Sequence, residues 1–148
     1  MNSLYSSVIE FIDLRIKSQS SFASEICGTM KHNALMINAY TFDSPDKVNS
    51  ADTRLDTMLE AAALSYESII RMKSLVWLRR RAMTILEEDS TDSDVISFIT
   101  RTKSHICAMM DSDFYNTGAG SKFSYALNLI DDLSSTISEQ INMKEKDD

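Results

Sequence analysis

Residues 50–88 read SADTRLDTMLEAAALSYESIIRMKSLVWLRRRAMTILEE, and this stretch decides the fold. Apolar or small side chains recur at alternating spacings of three and four residues, the period of a helix face packed along another helix. Further apolar residues lie directly before and after that line, so the apolar arc covers more than half of the helix circumference. Such a wide arc predicts a helix inside a bundle. The predicted line is Ala51, Leu55, Met58, Ala62, Ser65, Ile69, Met72, Val76, Arg79, Met83 and Leu86.

The composition predicts one all-helical domain over residues 1–148. Hydrophobic residues make up 43% of the chain and charged residues 25%, which is ordinary for a globular protein and excludes a disordered one. One proline and three glycines leave few helix breakers. The net charge of −7 argues against a generic nucleic-acid coat, which is normally basic.

The first helix is predicted over about residues 3–41, and its apolar line also alternates by threes and fours. The polar cluster Ser18–Ser21 and Gly28 leave two alternatives open, one long helix or two shorter ones. The second helix, ending near residue 88, starts either at Pro45, with Ser44 as its N-cap, or after Ser50. A short connection between two long helices predicts an antiparallel hairpin. The line in the first helix is Tyr5, Ile9, Ile12, Ile16, Gln19, Ala23, Ile26, Met30, Asn33, Ile37 and Tyr40.

Two shorter helices are predicted over about residues 93–111 and 121–143, with a frayed tail at 144–148. Ser90, Thr91 or Ser93 is the candidate cap of the third helix, and Ser121 is the candidate cap of the fourth. Across the four helices we expect one core, formed by Tyr5, Ile9, Ile12, Ile69, Val76, Trp77, Ile106, Ile130 and Leu133.

Helix lengths predict an uncovered half of the hairpin. The last two helices are about half as long as the first two, so they cover only the end of the hairpin from which the third helix returns. Large exposed apolar patches usually mark interaction sites, and two-fold homodimerisation is the simplest cover. The predicted partner or self-interface consists of Met30, Ile37, Tyr40, Leu55, Met58 and Leu59.

A basic block precedes a run of acids in the sequence. Its functional interpretation is docking onto an acidic partner or phosphates, yet three consecutive arginines spread around a helix and cannot form one patch from a single chain. The alternative, purely structural interpretation is that these cations complement the negative end of the helix dipole and form ion pairs with the acidic residues that follow. The block consists of Arg71, Lys73, Arg79, Arg80 and Arg81.

No arrangement in the sequence supports a catalytic site, a metal site or a cofactor. His32 and His105 lack metal-ligand spacing, and Cys27 and Cys107 form neither a CxxC motif nor a disulfide framework. The segment Gly118–Lys122 fails the P-loop pattern. The carboxylate pairs Asp131–Asp132 and Asp111–Asp113 are typical of solvated helix faces.

The predicted function is therefore non-catalytic protein–protein interaction by a helical-bundle homodimer, as a regulator, inhibitor or adaptor of another protein. The alternative is a nucleic-acid-associated protein that uses the basic block assembled across a dimer. The start of the sequence lacks the features of a signal peptide, and no stretch is apolar enough to predict a membrane span. We accordingly expect a reducing, cytoplasmic setting.

Overall fold

The computed structural model describes residues 3–113 and 119–147, which form four α-helices and no β-strand. The all-α class and the long antiparallel hairpin followed by two shorter helices are confirmed. The helices are α1 (Leu4–Asn38), α2 (Pro45–Ile85), α3 (Asp92–Asp113) and α4 (Ala119–Asp147).

The first helix is the single long one of the two alternatives. α1 runs without a break through Ser18–Ser21 and Gly28, and no side chain or foreign backbone approaches the glycine within 4 Å of where a Cβ would stand. Every residue on its predicted line is buried or half-buried, so the alternation of threes and fours located its packed face correctly.

Local hydrogen bonds fix where α2 and α3 begin. Ser44 accepts a bond from the backbone N–H of Lys47 at 3.3 Å, and Pro45 occupies the first position of α2. Thr91 caps α3 in a reciprocal pair: its hydroxyl accepts from the N–H of Asp94 at 3.1 Å, and the Asp94 carboxylate accepts from the N–H of Thr91 at 2.8 Å.

The last helix is longer than expected at both ends. α4 begins at Ala119, two residues before the expected cap Ser121, and continues through the expected frayed tail to Asp147. Lys144 Nζ of α4 lies 3.6 Å from Oδ1 of Asp92 at the start of α3. Lys144 and Lys146 in the last turn of α4 also complement the negative end of the α4 dipole.

The chain divides into two compact units, described separately below. Unit 1 comprises Met1–Ile16 and Lys73–Asp148, and unit 2 comprises Lys17–Met72.

Unit 1 is a four-helix bundle in which each helix lies beside two others. Polar pairs at the edges identify the neighbours in cyclic order, α1–α2, α2–α3, α3–α4 and α4–α1. These pairs are Asp13 with Arg79 at 2.7 Å, Thr102 with Arg81 at 3.0 Å, Asp131 with Lys103 at 2.8 Å and Asp132 with Arg15 at 3.2 Å.

All four helices contribute to the core of unit 1. Of the expected core residues, Ile12, Ile106, Ile130 and Leu133 are buried. Tyr5, Ile9 and Trp77 are half-buried and pack against the same cluster. The buried cluster is Leu4, Val8, Ile12, Leu75, Leu78, Ala82, Leu86, Val95, Phe98, Ile99, Ile106, Phe123, Ala126, Leu129, Ile130, Leu133 and Ile137.

The expected packed line of α2 was wrong at alternate positions. Val76 and Ile69 are exposed, whereas Leu75 and Ser68, one residue earlier, are buried. The same one-residue offset separates the exposed Met83 from the buried Ala82. The packed face of α2 thus includes small residues, while larger apolar residues lie one step around the helix, about 100° away.

The corrected rotation of α2 predicts opposite outcomes for two adjacent truncations. Leu75 is 0% exposed and Val76 is 45% exposed. Leu75→Ala should lower the free energy of unfolding by about 2–5 kcal/mol because it removes buried methyl groups and leaves a cavity. Val76→Ala should change it by about 0.5 kcal/mol or less. Urea unfolding followed by circular dichroism measures both, and equal losses would contradict this rotation.

The cap of α3 predicts a pH-dependent contribution to stability. The Thr91 backbone N–H, with a further contribution from the Thr91 hydroxyl, holds the pKa of Asp94 below its ordinary value. A carboxylate with a lowered folded-state pKa stabilises the fold above the ordinary aspartate pKa of about 3.9, and that stabilisation is lost as the pH falls through the folded-state pKa.

Asp94→Ala should therefore melt below the wild type at neutral pH, and the difference should shrink as the solution is acidified below about pH 4. Thermal melts over this pH range give the measurement, with the exposed Asp89→Ala in the preceding turn as the control. A difference that persists unchanged in acid would rule out the carboxylate cap as its source.

Candidate interaction surface

Unit 2 is a two-helix hairpin with a very small apolar core. Its buried hydrophobic residues are Ile26, Ala51 and Ala61, and two of these three are alanines. By contrast, nine large hydrophobic residues of the same unit are exposed, so more of its large apolar side chains are exposed than fully buried. They are Phe22, Leu35, Phe42, Val48, Leu55, Leu59, Leu64, Tyr66 and Ile69.

Small and polar residues of α2 form the packed side of this hairpin, which we call the inner seam. Because unit 2 contains only segments of α1, α2 and their connection, buried α2 residues in it pack against α1. The buried Ser68, for example, bonds to Gln19 of α1, 3.3 Å from its amide oxygen. The inner seam consists of Ala51, Arg54, Met58, Ala61, Ser65 and Ser68, all buried or half-buried.

Arg54 joins the two helices through a polar network. Its Nε donates to the Tyr40 hydroxyl at 2.7 Å, and its terminal nitrogen donates to Asn33 Oδ1 at 3.1 Å. The Asn33 amide nitrogen in turn donates to the Thr29 carbonyl at 2.9 Å. Asn33 is buried, so these bonds satisfy an amide that would otherwise be desolvated without partners.

A second line, which we call the outer seam, follows the inner seam one residue later along α2. A helix turns about 100° per residue, so the outer seam faces roughly a quarter-turn away from α1. Its spacing alternates strictly between four and three, as in helices that pair along their length. The outer seam consists of Val48, Asp52, Leu55, Leu59, Ala62, Tyr66 and Ile69, all exposed.

The structure separates the expected interface residues into two groups. Leu55 and Leu59 lie on the outer seam, and Leu59 is 69% exposed. The other four, Met30, Ile37, Tyr40 and Met58, are half-buried. The predicted interface left out Tyr66, which is also 69% exposed, and the exposed Ile69 was wrongly predicted to be a core residue. The sequence signal for the true packed face was the set of small residues Ala61, Ser65 and Ser68, each one position before an outer-seam residue.

The arginines of the basic block point to different neighbours. Arg79 pairs with Asp13 of α1, which raises the pKa of Arg79 above its ordinary value, and Arg81 bonds to Thr102 of α3. Arg71 pairs with Glu67 one turn earlier on α2. Lys73 and Arg80 are exposed. Arg79 and Arg81, two residues apart, thus do not share a face within one chain.

Trp77, which was expected in the core, is half-buried and also belongs to a ring cluster between α2 and α3. The His105 ring stacks on the indole with centroids 6.0 Å apart, and the Arg81 guanidinium lies 5.8 Å from the indole centroid. Arg81 also donates to Thr102, which is fully buried. The cluster links α3 to α2, because His105 of α3 stacks on Trp77 of α2 and Thr102 of α3 accepts from Arg81 of α2.

The carboxylate pair Asp131–Asp132 is divided between two ion pairs. Asp131 pairs with Lys103 of α3, and Asp132 pairs with Arg15 of α1. Because Lys103 donates a hydrogen bond to Asp131, the pKa of Lys103 is raised above its ordinary value. Within residues 3–113 and 119–147, no group of three or more histidine, cysteine or acidic side chains is placed to hold a metal. Gly118 and the side chains of residues 112–113 and 119–122 lie outside the described ones.

Over the described part of the chain, no helix combines the length and apolar character needed to cross a bilayer. Comparisons with protein-family models, curated proteins and solved structures found no match.

The Arg54 network predicts a polar contribution to hairpin stability. Arg54→Ala leaves the buried Asn33 oxygen without its donor, which should destabilise unit 2 by about 1–3 kcal/mol. Amide hydrogen exchange over residues 17–72 measures the local loss of protection. Arg80→Ala, an exposed arginine of the same helix, is the matched control and should leave protection unchanged. Equal protection in both variants would show that the network does not hold the hairpin.

Proposed function

We propose that this protein is a non-catalytic protein-interaction module that acts as a homodimer and binds another protein as a regulator, inhibitor or adaptor. The observation that carries the proposal is the contrast between the two units. Unit 1 buries seventeen hydrophobic residues around one core, whereas unit 2 buries three and exposes large ones instead. Exposed apolar side chains in such number are typical of interaction sites.

Energetic considerations support the same function. Two helices alone bury little surface, and most helical stability in proteins comes from packing an amphipathic face. Covering Leu55, Leu59, Tyr66 and Ile69 with another chain would remove apolar surface from water, at roughly 25 cal/mol per Å². The hairpin thus gains packing from a partner that its own chain does not supply within unit 2.

Protein binding is favoured over the nucleic-acid alternative by the distribution of charge. Nucleic-acid binding requires cations gathered on one face, and Arg79 and Arg81 instead contact α1 and α3. The exposed large side chains of the hairpin are apolar, which suits a protein partner.

We place the protein in a reducing, cytoplasmic compartment. Cys27 and Cys107 are both free thiols, and Cys27 is exposed. An exposed unpaired thiol suits a compartment in which thiols remain reduced.

A pair of leucine substitutions tests the proposal. Leu59→Glu places a charge on the outer seam and should convert a wild-type dimer into a monomer, because the charge would be buried at the interface. Size exclusion with light scattering measures the molar mass, and circular dichroism checks that helicity is retained. Leu59 is already exposed, so the substitution should not unfold the chain.

Leu64→Glu is the matched control for this experiment. Leu64 is an exposed leucine of the same helix, five residues further on, and therefore faces the opposite side of α2 from Leu59 and its seam. It should leave the dimer intact. A monomeric wild type that captures no protein partner through the hairpin would contradict the proposed function.

A further inference from the structure

Continued by the same repeat to Lys73 and Val76, the outer seam reads similarly in both directions from Ala62, the midpoint of residues 48–76. Towards the N-terminus, Leu59, Leu55 and Asp52 follow at three, seven and ten residues, and towards the C-terminus, Tyr66, Ile69 and Lys73 follow at four, seven and eleven. Leu55 and Ile69 are equally distant from Ala62, and the other two pairs differ by one residue, about 1.5 Å along the helix axis. Asp52 and Lys73 are both exposed and carry opposite charges.

We propose that the outer seam binds the outer seam of a second copy of this chain, antiparallel and with the two-fold axis at Ala62. This inference rests on the proposed homodimer and specifies its surface, orientation and register. In such an isologous contact each residue meets its symmetric counterpart on the other copy. Leu59 meets Tyr66, Leu55 meets Ile69, and the small Ala62 side chains meet at the axis, where the helices approach most closely.

The charges select the antiparallel orientation. Antiparallel pairing places Asp52 of each copy beside Lys73 of the other, twice in the dimer. Parallel pairing places Asp52 beside Asp52 and Lys73 beside Lys73, and like charges directly opposite are unfavourable. Neither Asp52 nor Lys73 has an ion-pair partner within residues 3–113 and 119–147, so both are available for the contact.

The apolar positions select the register. A shift of the axis by half a heptad towards the C-terminus, to Tyr66, places Leu59 opposite Lys73. A shift towards the N-terminus places Asp52 opposite Tyr66. Of these three registers, the one centred on Ala62 matches apolar with apolar and acid with base at the seam positions from Asp52 to Lys73.

A charged residue, Asp56, lies beside the seam within residues 55–70. Met58, Ser65 and Met72 flank the seam on one side, and Asp56, Ala63 and Ile70 flank it on the other. In the register centred on Ala62, Asp56 of one copy lies near Ile70 of the other, so these flanking residues bring no like charges together. With Val48 and Val76 at its ends, the repeat spans four heptads, a length at which a heptad pattern is typical of a coiled coil.

Reciprocal charge reversal tests the register. Asp52→Lys alone and Lys73→Asp alone each create two like-charge contacts and should raise the dimer dissociation constant about ten-fold or more. The double variant Asp52→Lys/Lys73→Asp restores opposite charges and should return the constant to the wild-type range. Sedimentation equilibrium of the full chain at low ionic strength measures all four proteins.

The outcomes separate this inference from the proposed function. Weakening by both single variants and recovery in the double variant support the proposed contact. A dimer that neither reversal weakens, or that the double variant fails to restore, overturns the register while leaving a homodimer in place. A wild type that is monomeric throughout overturns both the register and the homodimer.

Site-directed disulfide formation provides an independent readout. In a Cys27→Ser background, Ala62→Cys places one thiol from each copy at the two-fold axis, and oxidation by diamide should yield the covalent dimer. Leu64→Cys, on the opposite side of α2, is the matched control and should remain monomeric on a non-reducing gel. Cross-linking of Leu64→Cys in preference to Ala62→Cys would overturn the proposed axis.

Discussion

The packing of small α2 residues against α1 determines what the hairpin presents to solvent. Ala61 and Ser68 are buried in unit 2, where α1 is the only other long helix segment. Once these positions face α1, the helical repeat places the following residues, Ala62 and Ile69, about a quarter-turn away. The outer seam is therefore a geometric consequence of the inner seam, and α2 has two apolar faces, of which only one is covered.

Unit 1 differs from unit 2 in having a large buried core, although it also leaves some large apolar side chains, such as Met83 and Ile96, exposed. Its four helix segments enclose one continuous core, and polar pairs such as Asp13–Arg79 and Asp131–Lys103 lie at the edges. Exposed pairs of this kind contribute little stability, about 0–1 kcal/mol each. Burial of apolar side chains stabilises the bundle, while the edge pairs favour particular neighbours among the helices.

Sequence reasoning succeeded for α1 and failed at alternate positions of α2 for one physical reason. On α1 every residue of the predicted line is buried or half-buried, so the period indicates the packed face directly. On α2 the large side chains of Leu55 and Ile69 lie beside a packed line that includes Ala61 and Ser68, and periodicity alone does not say which line is inside. Close helix packing selects the small residues. The polar contacts of Arg54 could not be predicted from the sequence either, because they depend on how α2 is aligned along α1 and the connection that follows it.

The most direct test of the central claim, that the outer seam is an interface, is a dilution series followed by methyl NMR of leucine and isoleucine side chains. We expect concentration-dependent shifts at Leu55, Leu59 and Ile69, with no change at the exposed Leu64 on the opposite side of α2. Shifts confined to Leu64, or no concentration dependence at the outer seam up to saturation, would contradict the claim.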